Sequence, residues 1–152
     1  MDYERFGLEA AQRLAAERGL EVVPAEAEEL QVDIDSAEDL ARFEHNLRVL
    51  KKYRSVHSVD RRPSPGGAED HWHISVFLTE EVEPLERIAL QACLGSDRMR
   101  ELLSVVGVTK YALPVPTLFF EKPEYAAGRK ERRFIFDEDE EGANATTGET
   151  ID

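Results

Sequence analysis

The segment Leu30–Ser36, LQVDIDS, places apolar and acidic residues in strict alternation. Side chains alternate across a β-strand, so Leu30, Val32 and Ile34 take one face while Gln31, Asp33 and Asp35 take the other. The pattern predicts a strand with one apolar side, and Ser36 then caps a helix over about 37–52. Asp39, three residues on, forms an imperfect capping box. Leu40, Phe43, Leu47 and Leu50 recur at helical spacing and give that helix its buried stripe.

A second clear strand follows at His71–Leu78, HWHISVFL, with Trp72, Ile74, Val76 and Leu78 toward the core. His71, His73, Ser75 and Phe77 point away from it. Trp72 shares the parity of Ile74 and Val76, so it reads as a core anchor. Between the clear strands, Tyr53–Val59 reads as a strand of poorer alternation, and RRPSPGGAED (Arg61–Asp70) reads as a turn. Pro84–Val106 carries a helical pattern broken at Gly95-Ser96-Asp97, and Thr117–Glu121 reads as a final strand. Upstream, residues 3–18 form a short amphipathic helix that Gly19 terminates, and Leu20–Val23 is a short extended run.

The expected class is α+β, a β-α-β-β-α-β unit of RNA-recognition-motif or ferredoxin-like type. Right-handed crossovers place both helices on one face of a four-stranded antiparallel sheet, with the first and third strands paired at its centre. Residues 1–29 are the leading helix and connector, 30–122 the core and 123–136 an extension. Residues 137–152 are expected to be a disordered acidic tail. This topology gathers Asp33, Asp35, His71 and His73 on the uncovered face.

Two carboxylates on alternate strand residues have β-carbons roughly 6–7 Å apart and suit shared coordination of Mg²⁺ or Mn²⁺. His71 and His73 have the spacing of a transition-metal chelate, or of a group that contacts a nucleotide. Arg61, Arg62 and Ser64 are candidates to hold a triphosphate, and Glu121 is a candidate third acid. Cys93, the only cysteine, lies in apolar helical sequence and is expected to be a buried structural thiol.

The formal charge is −13. Seven acids and no bases lie from Asp137 onward, which leaves the remainder at 25 acids against 19 bases. Passive binding to DNA by charge alone is therefore disfavoured. One cysteine precludes an internal disulfide, and the first twenty residues lack a continuous apolar run. A cytoplasmic setting is expected, host cytoplasm if the protein is viral, with no membrane partner.

LQVDIDS, RRPSPGGAEDHWHISV and PTLFFE together resemble the palm of the archaeo-eukaryotic primase and primase-polymerase superfamily. The resemblance covers roughly residues 30–122, and LERIALQACLGSDRMRELLS also resembles a segment of small phage proteins. It implies that Asp33 and Asp35 are divalent-metal ligands and that His73, rather than His71, contacts the incoming nucleotide. Glu121 stands where the family has a third acid, usually aspartate. Nucleotides and single-stranded DNA are the implied partners, in phage DNA replication, and the acidic tail could engage replication proteins.

The region before the D-x-D is only about thirty residues, shorter than the accessory lobe of full primases. Two other readings compete. His71-Trp72-His73 fits the motif of HUH rolling-circle endonucleases, for which Tyr125 is the plausible nucleophile. A catalytically inactive module that binds protein or mimics DNA would use the same acidic surface.

Overall fold

β2 (Glu29–Ile34) and β4 (Trp72–Leu78) pair antiparallel, with Val32 opposite Ile74 and Asp33 opposite His73. The computed structural model describes residues 7–113 and 117–129. Besides these two strands it contains α1 (Leu8–Glu17), β1 (Glu21–Pro24), α2 (Ala37–Lys51) and β3 (Val56–Pro63). α3 (Pro84–Cys93), α4 (Arg98–Tyr111) and β5 (Leu118–Glu121) follow, and residues 123–129 are helical.

The main core forms where the alternation predicts it. Leu30, Val32, Ile34, Ile74, Val76 and Leu78 are buried against Phe43 of α2, Val82 and Leu94, with Leu40, Leu47 and Leu50 packed beside them. Each fully buried side chain of this kind contributes about 1.5–3 kcal/mol. Trp72 packs on the same cluster, as its parity requires. The Ser36 hydroxyl accepts from Asp39 N at 3.1 Å and starts α2. Gly95, at φ +93, separates α3 from α4, and Asp97 caps α4 by accepting from Met99 N at 3.3 Å.

The sheet itself departs from expectation. Among the described residues it has three strands in the order β2-β4-β3, and β5 pairs with β1 in a separate antiparallel ribbon. The expected central pair is present, but β2 is an edge strand. A fourth strand is unnecessary there because side chains and one backbone amide of α3, α4 and the loop between them satisfy the edge. Gln31 N donates to Gln91 Oε1, Asp33 N donates to Ser96 Oγ, and Asp97 N donates to Asp33 O. Arg87 Nε donates to Glu29 O and Arg100 Nη1 to Gln31 O. These bonds tie α3 and the start of α4 along the edge that a strand would otherwise occupy.

The second face of the sheet is covered as well, so the expectation of an open face is overturned. Gln31 and Ser75 are fully buried, and His73 is 6 % exposed. Phe119 of β5 stacks on the His73 ring, and Arg129 lies over Phe77. Alternation separates apolar from polar positions, but polar residues are buried when each finds a partner.

β3 also runs further than expected, to Pro63, so Arg61 and Arg62 are strand residues and the turn begins at Ser64. Cys93 is exposed, because α3 turns Arg87, Ile88 and Gln91 inward instead. Among the described residues no helix is long and apolar enough to cross a membrane. The acidic tail expected over 137–152 lies outside the described residues.

Candidate functional site

One cross-strand row carries most of the chemistry. Asp33 on β2, His73 on β4 and Arg62 on β3 are register neighbours on one side of the sheet. Glu121 reaches the row from β5. His73 Nε2 lies 3.7 Å from Asp33 Oδ1, while its Nδ1 is bonded to Glu121 Oε1. Arg62 Nε donates to the other carboxylate oxygen, Glu121 Oε2, at 2.7 Å. Phe119 holds the imidazole from one side, with ring centroids 4.0 Å apart and planes 4° from parallel.

The adjacent row continues the network. Arg62 Nη1 donates to Ser75 Oγ at 3.2 Å and lies 3.6 Å from Asp60 Oδ2. Tyr125 OH donates to the same Asp60 oxygen at 2.6 Å, and the Arg62 guanidinium sits over its ring. Burial, first, and the hydrogen bond to Asp60 push the Tyr125 hydroxyl up to about 12, against the opposing effect of Arg62.

Asp33 and His73 form part of the lining of a cleft of about 770 Å³ between the sheet, α4, β5 and α1. Its polar side includes Asp33, His73, Ser64 and Asp97, and its apolar side includes Leu20, Met99, Leu103 and Phe120. That volume lies within the range of small-molecule and cofactor sites. Burial raises Asp33 above the usual carboxylate range, and Asp97 adds to the effect, while Arg100 and His73 oppose it. Asp35 is raised by desolvation, then by the nearby charges of Asp33 and Asp97. In both carboxylates burial is the leading cause.

The expected site residues separate into groups. Asp33 and His73 meet at the cleft, and Ser64 joins them on its rim. Asp35 and His71 form a more exposed pair, 3.7 Å apart, at the end of the same strands. Arg62 is buried in the Glu121 ion pair and is not available to a triphosphate. Arg61 is on the opposite side of β3, over the Trp72 ring and 3.4 Å from Glu44.

Glu121 fails the test for a metal ligand, since both its oxygens are occupied by His73 and Arg62. Among the described residues no group of three or more His, Cys, Asp or Glu is arranged to hold a metal ion. Asp33 and Asp35 remain. Two carboxylates fit a cation that also takes substrate phosphates and water, as Mg²⁺ commonly does.

As site residues Arg100 and Phe119 are not marked by the sequence, and Ser96 reads there only as part of a helix break. Arg100 donates to Gln31 O, Glu101 Oε2 and Leu118 O, and so fixes α4 between β2 and β5. The inward residues of α4 are Glu101, Ser104 and Gly107, a stripe of polar and small residues that an apolar period cannot reveal. Comparison with known protein families, curated proteins and solved structures returns no match.

Proposed function

We propose that the chain is a small nucleotidyl-transfer palm of primase-polymerase type, acting on nucleotides and single-stranded DNA in phage DNA replication. The observation that carries this reading is the meeting of Asp33 and His73, 3.7 Å apart, in a cleft large enough for a nucleotide. The unit β2-α2-β3-β4 supplies the first part of the RNA-recognition-motif-like arrangement, with β5 displaced onto β1. Asp33 and Asp35 would hold Mg²⁺ or Mn²⁺, which when bound supplies countercharge to the phosphates.

The protein's own groups have distinct parts in this reading. Asp33 and Asp35, on alternate residues at the end of β2, would supply the oxygen ligands of that cation. His73, held by Glu121 and Phe119, turns Nε2 toward the cleft, where as an imidazolium it would donate to a phosphate oxygen. The turn at Ser64–Gly66 borders the polar side, where the Ser64 hydroxyl would face a phosphate. Phe120, with the Arg18 guanidinium 6.0 Å from its ring centre, offers a flat surface to a base. The acidic residues from Asp137 onward would meet replication proteins. The HUH alternative is weakened by Tyr125, whose hydroxyl is committed to Asp60.

The test is a thermal-shift titration with Mn²⁺ and a nucleoside triphosphate, followed by a template-extension assay. Ligand that binds only the folded chain raises its melting temperature. The rise should disappear in Asp33→Asn/Asp35→Asn, and extension products should be lost in Asp35→Asn. An equal rise in the double variant would move the binding elsewhere. A folded protein with neither response would favour the protein-binding module.

A further inference from the structure

We propose that Glu121 is a positioning residue: paired with Arg62, it fixes the His73 ring so that a substrate in the cleft meets Nε2 and never Nδ1. The inference rests on the nucleotide reading only for the identity of that substrate. Its structural part stands on the contacts around one imidazole.

The chain of donors and acceptors has a fixed direction. An arginine guanidinium can only donate, so Arg62 Nε–H must place an acceptor oxygen opposite itself, and Glu121 Oε2 fills that role at 2.7 Å. The paired carboxylate is an acceptor through Oε1 as well. His73 Nδ1 therefore carries the hydrogen that it shares with Oε1. In the neutral ring this leaves Nε2 without a hydrogen, turned toward Asp33 and the cleft.

Three further features prevent the ring from turning over. Phe119 is 2 % exposed and lies parallel to the imidazole at 4.0 Å. Glu121 is 1 % exposed, so water does not replace His73 as its partner at low cost. Arg62 is locked by Ser75 and lies over the Tyr125 ring, which in turn is bonded to Asp60. The arrangement is a carboxylate–histidine pair in which the acid orients the ring and does not touch substrate. It also explains why an acid on β5 contributes to the site without facing a metal.

The experiment is nitrogen-15 NMR of the imidazole rings in the full chain, with His73 assigned by comparison with His73→Gln. In the neutral wild-type ring the expected pattern is a protonated Nδ1 and a bare Nε2. In Glu121→Gln, Arg62 still demands the side-chain oxygen, so the amide NH₂ faces Nδ1 and forces it to accept. The neutral tautomer should then switch to a protonated Nε2. A wild-type ring protonated on Nε2, or a Glu121→Gln ring that keeps its hydrogen on Nδ1, would overturn the proposal.

Should Glu121→Gln fail to fold, the wild-type tautomer alone still decides. Phe119→Leu, which keeps the carboxylate, should leave the tautomer unchanged, and a switch there would assign the orientation to stacking instead. Adding a nucleoside triphosphate with Mg²⁺ should move the Nε2 signal and leave Nδ1 in place. A correct tautomer with an unresponsive Nε2 would remove the nucleotide reading while the positioning role stands.

Discussion

Arg62 and Glu121, separated by 59 residues, close onto each other at 2.7 Å beneath the ribbon of β1 and β5. This buried ion pair joins the three-stranded sheet to that ribbon and holds the histidine between them. Its members come from strands that do not pair, so side chains connect the two sheets at this point.

Removing one partner should therefore expose the cost of the other. Arg62→Met leaves Glu121, 1 % exposed, without its countercharge. We expect a loss of about 3–5 kcal/mol, as for other buried pairs broken on one side. Urea unfolding followed by tryptophan fluorescence measures it, and a loss below that of an ordinary surface substitution would show that the pair is not buried in solution.

Asp33 should behave in the opposite sense. Its carboxyl is raised above 3.8, chiefly by burial, so ionisation costs more in the folded chain than in the unfolded one. The folded state then binds more protons, and stability falls as pH rises from 3.8 through the raised value. Without divalent ions, Asp33→Asn is expected to melt higher than wild type at neutral pH. The advantage should vanish below 3.8. A variant that melts lower at neutral pH would mean that the favourable charges of Arg100 and His73 outweigh desolvation.

Tyr125 gives a test in the alkaline range. Its folded value of about 12 lies above the usual 10.0, so the stabilisation is fully present below 10.0 and is lost as pH rises through about 12. Tyr125→Phe removes the bond to Asp60 and should cost about 1.5 kcal/mol at neutral pH. Phenolate absorbance should appear near the raised value. Incubation with labelled single-stranded DNA and Mn²⁺ should leave no covalent adduct at this residue, and an adduct lost in Tyr125→Phe would restore the HUH reading.

The α3–α4 junction supplies a stability test remote from the site. Gly95 has φ +93, and a β-carbon there would stand 3.1 Å from the Asp39 carbonyl oxygen. Gly95→Ala combines backbone strain with that close approach, and we expect it to cost about 1–2 kcal/mol. Chemical denaturation provides the value, and a neutral effect would require the junction to relax away from α2.

Several of these relationships lie beyond sequence patterns. The pairing of β2 with β4 was legible because two clear alternating runs had one arrangement that buried both apolar sides. The break at Gly95-Ser96-Asp97 was legible from its residue types. The fate of Gln31, Ser75 and His73 was not, because a polar side chain at an alternate position is equally compatible with solvent and with a buried partner. β1 has only four residues, too few for a pattern to show that they pair with β5. Glu121 reads in the sequence as a candidate third acid, but its contacts depend on Arg62, whose place in β3 is hidden by the proline- and glycine-rich run that follows it.

The side chains along β2 also bear on how copies of this chain meet one another. Another molecule's strand would need the outward amides of Gln31 and Asp33 and the outward carbonyls of Glu29, Gln31 and Asp33. All five are already engaged by Arg87, Gln91, Ser96, Asp97 and Arg100. Strand-by-strand growth from this edge is terminated within the molecule. Only conditions that lift α3 and α4 while leaving the sheet intact would turn β2 into a seed for fibrils.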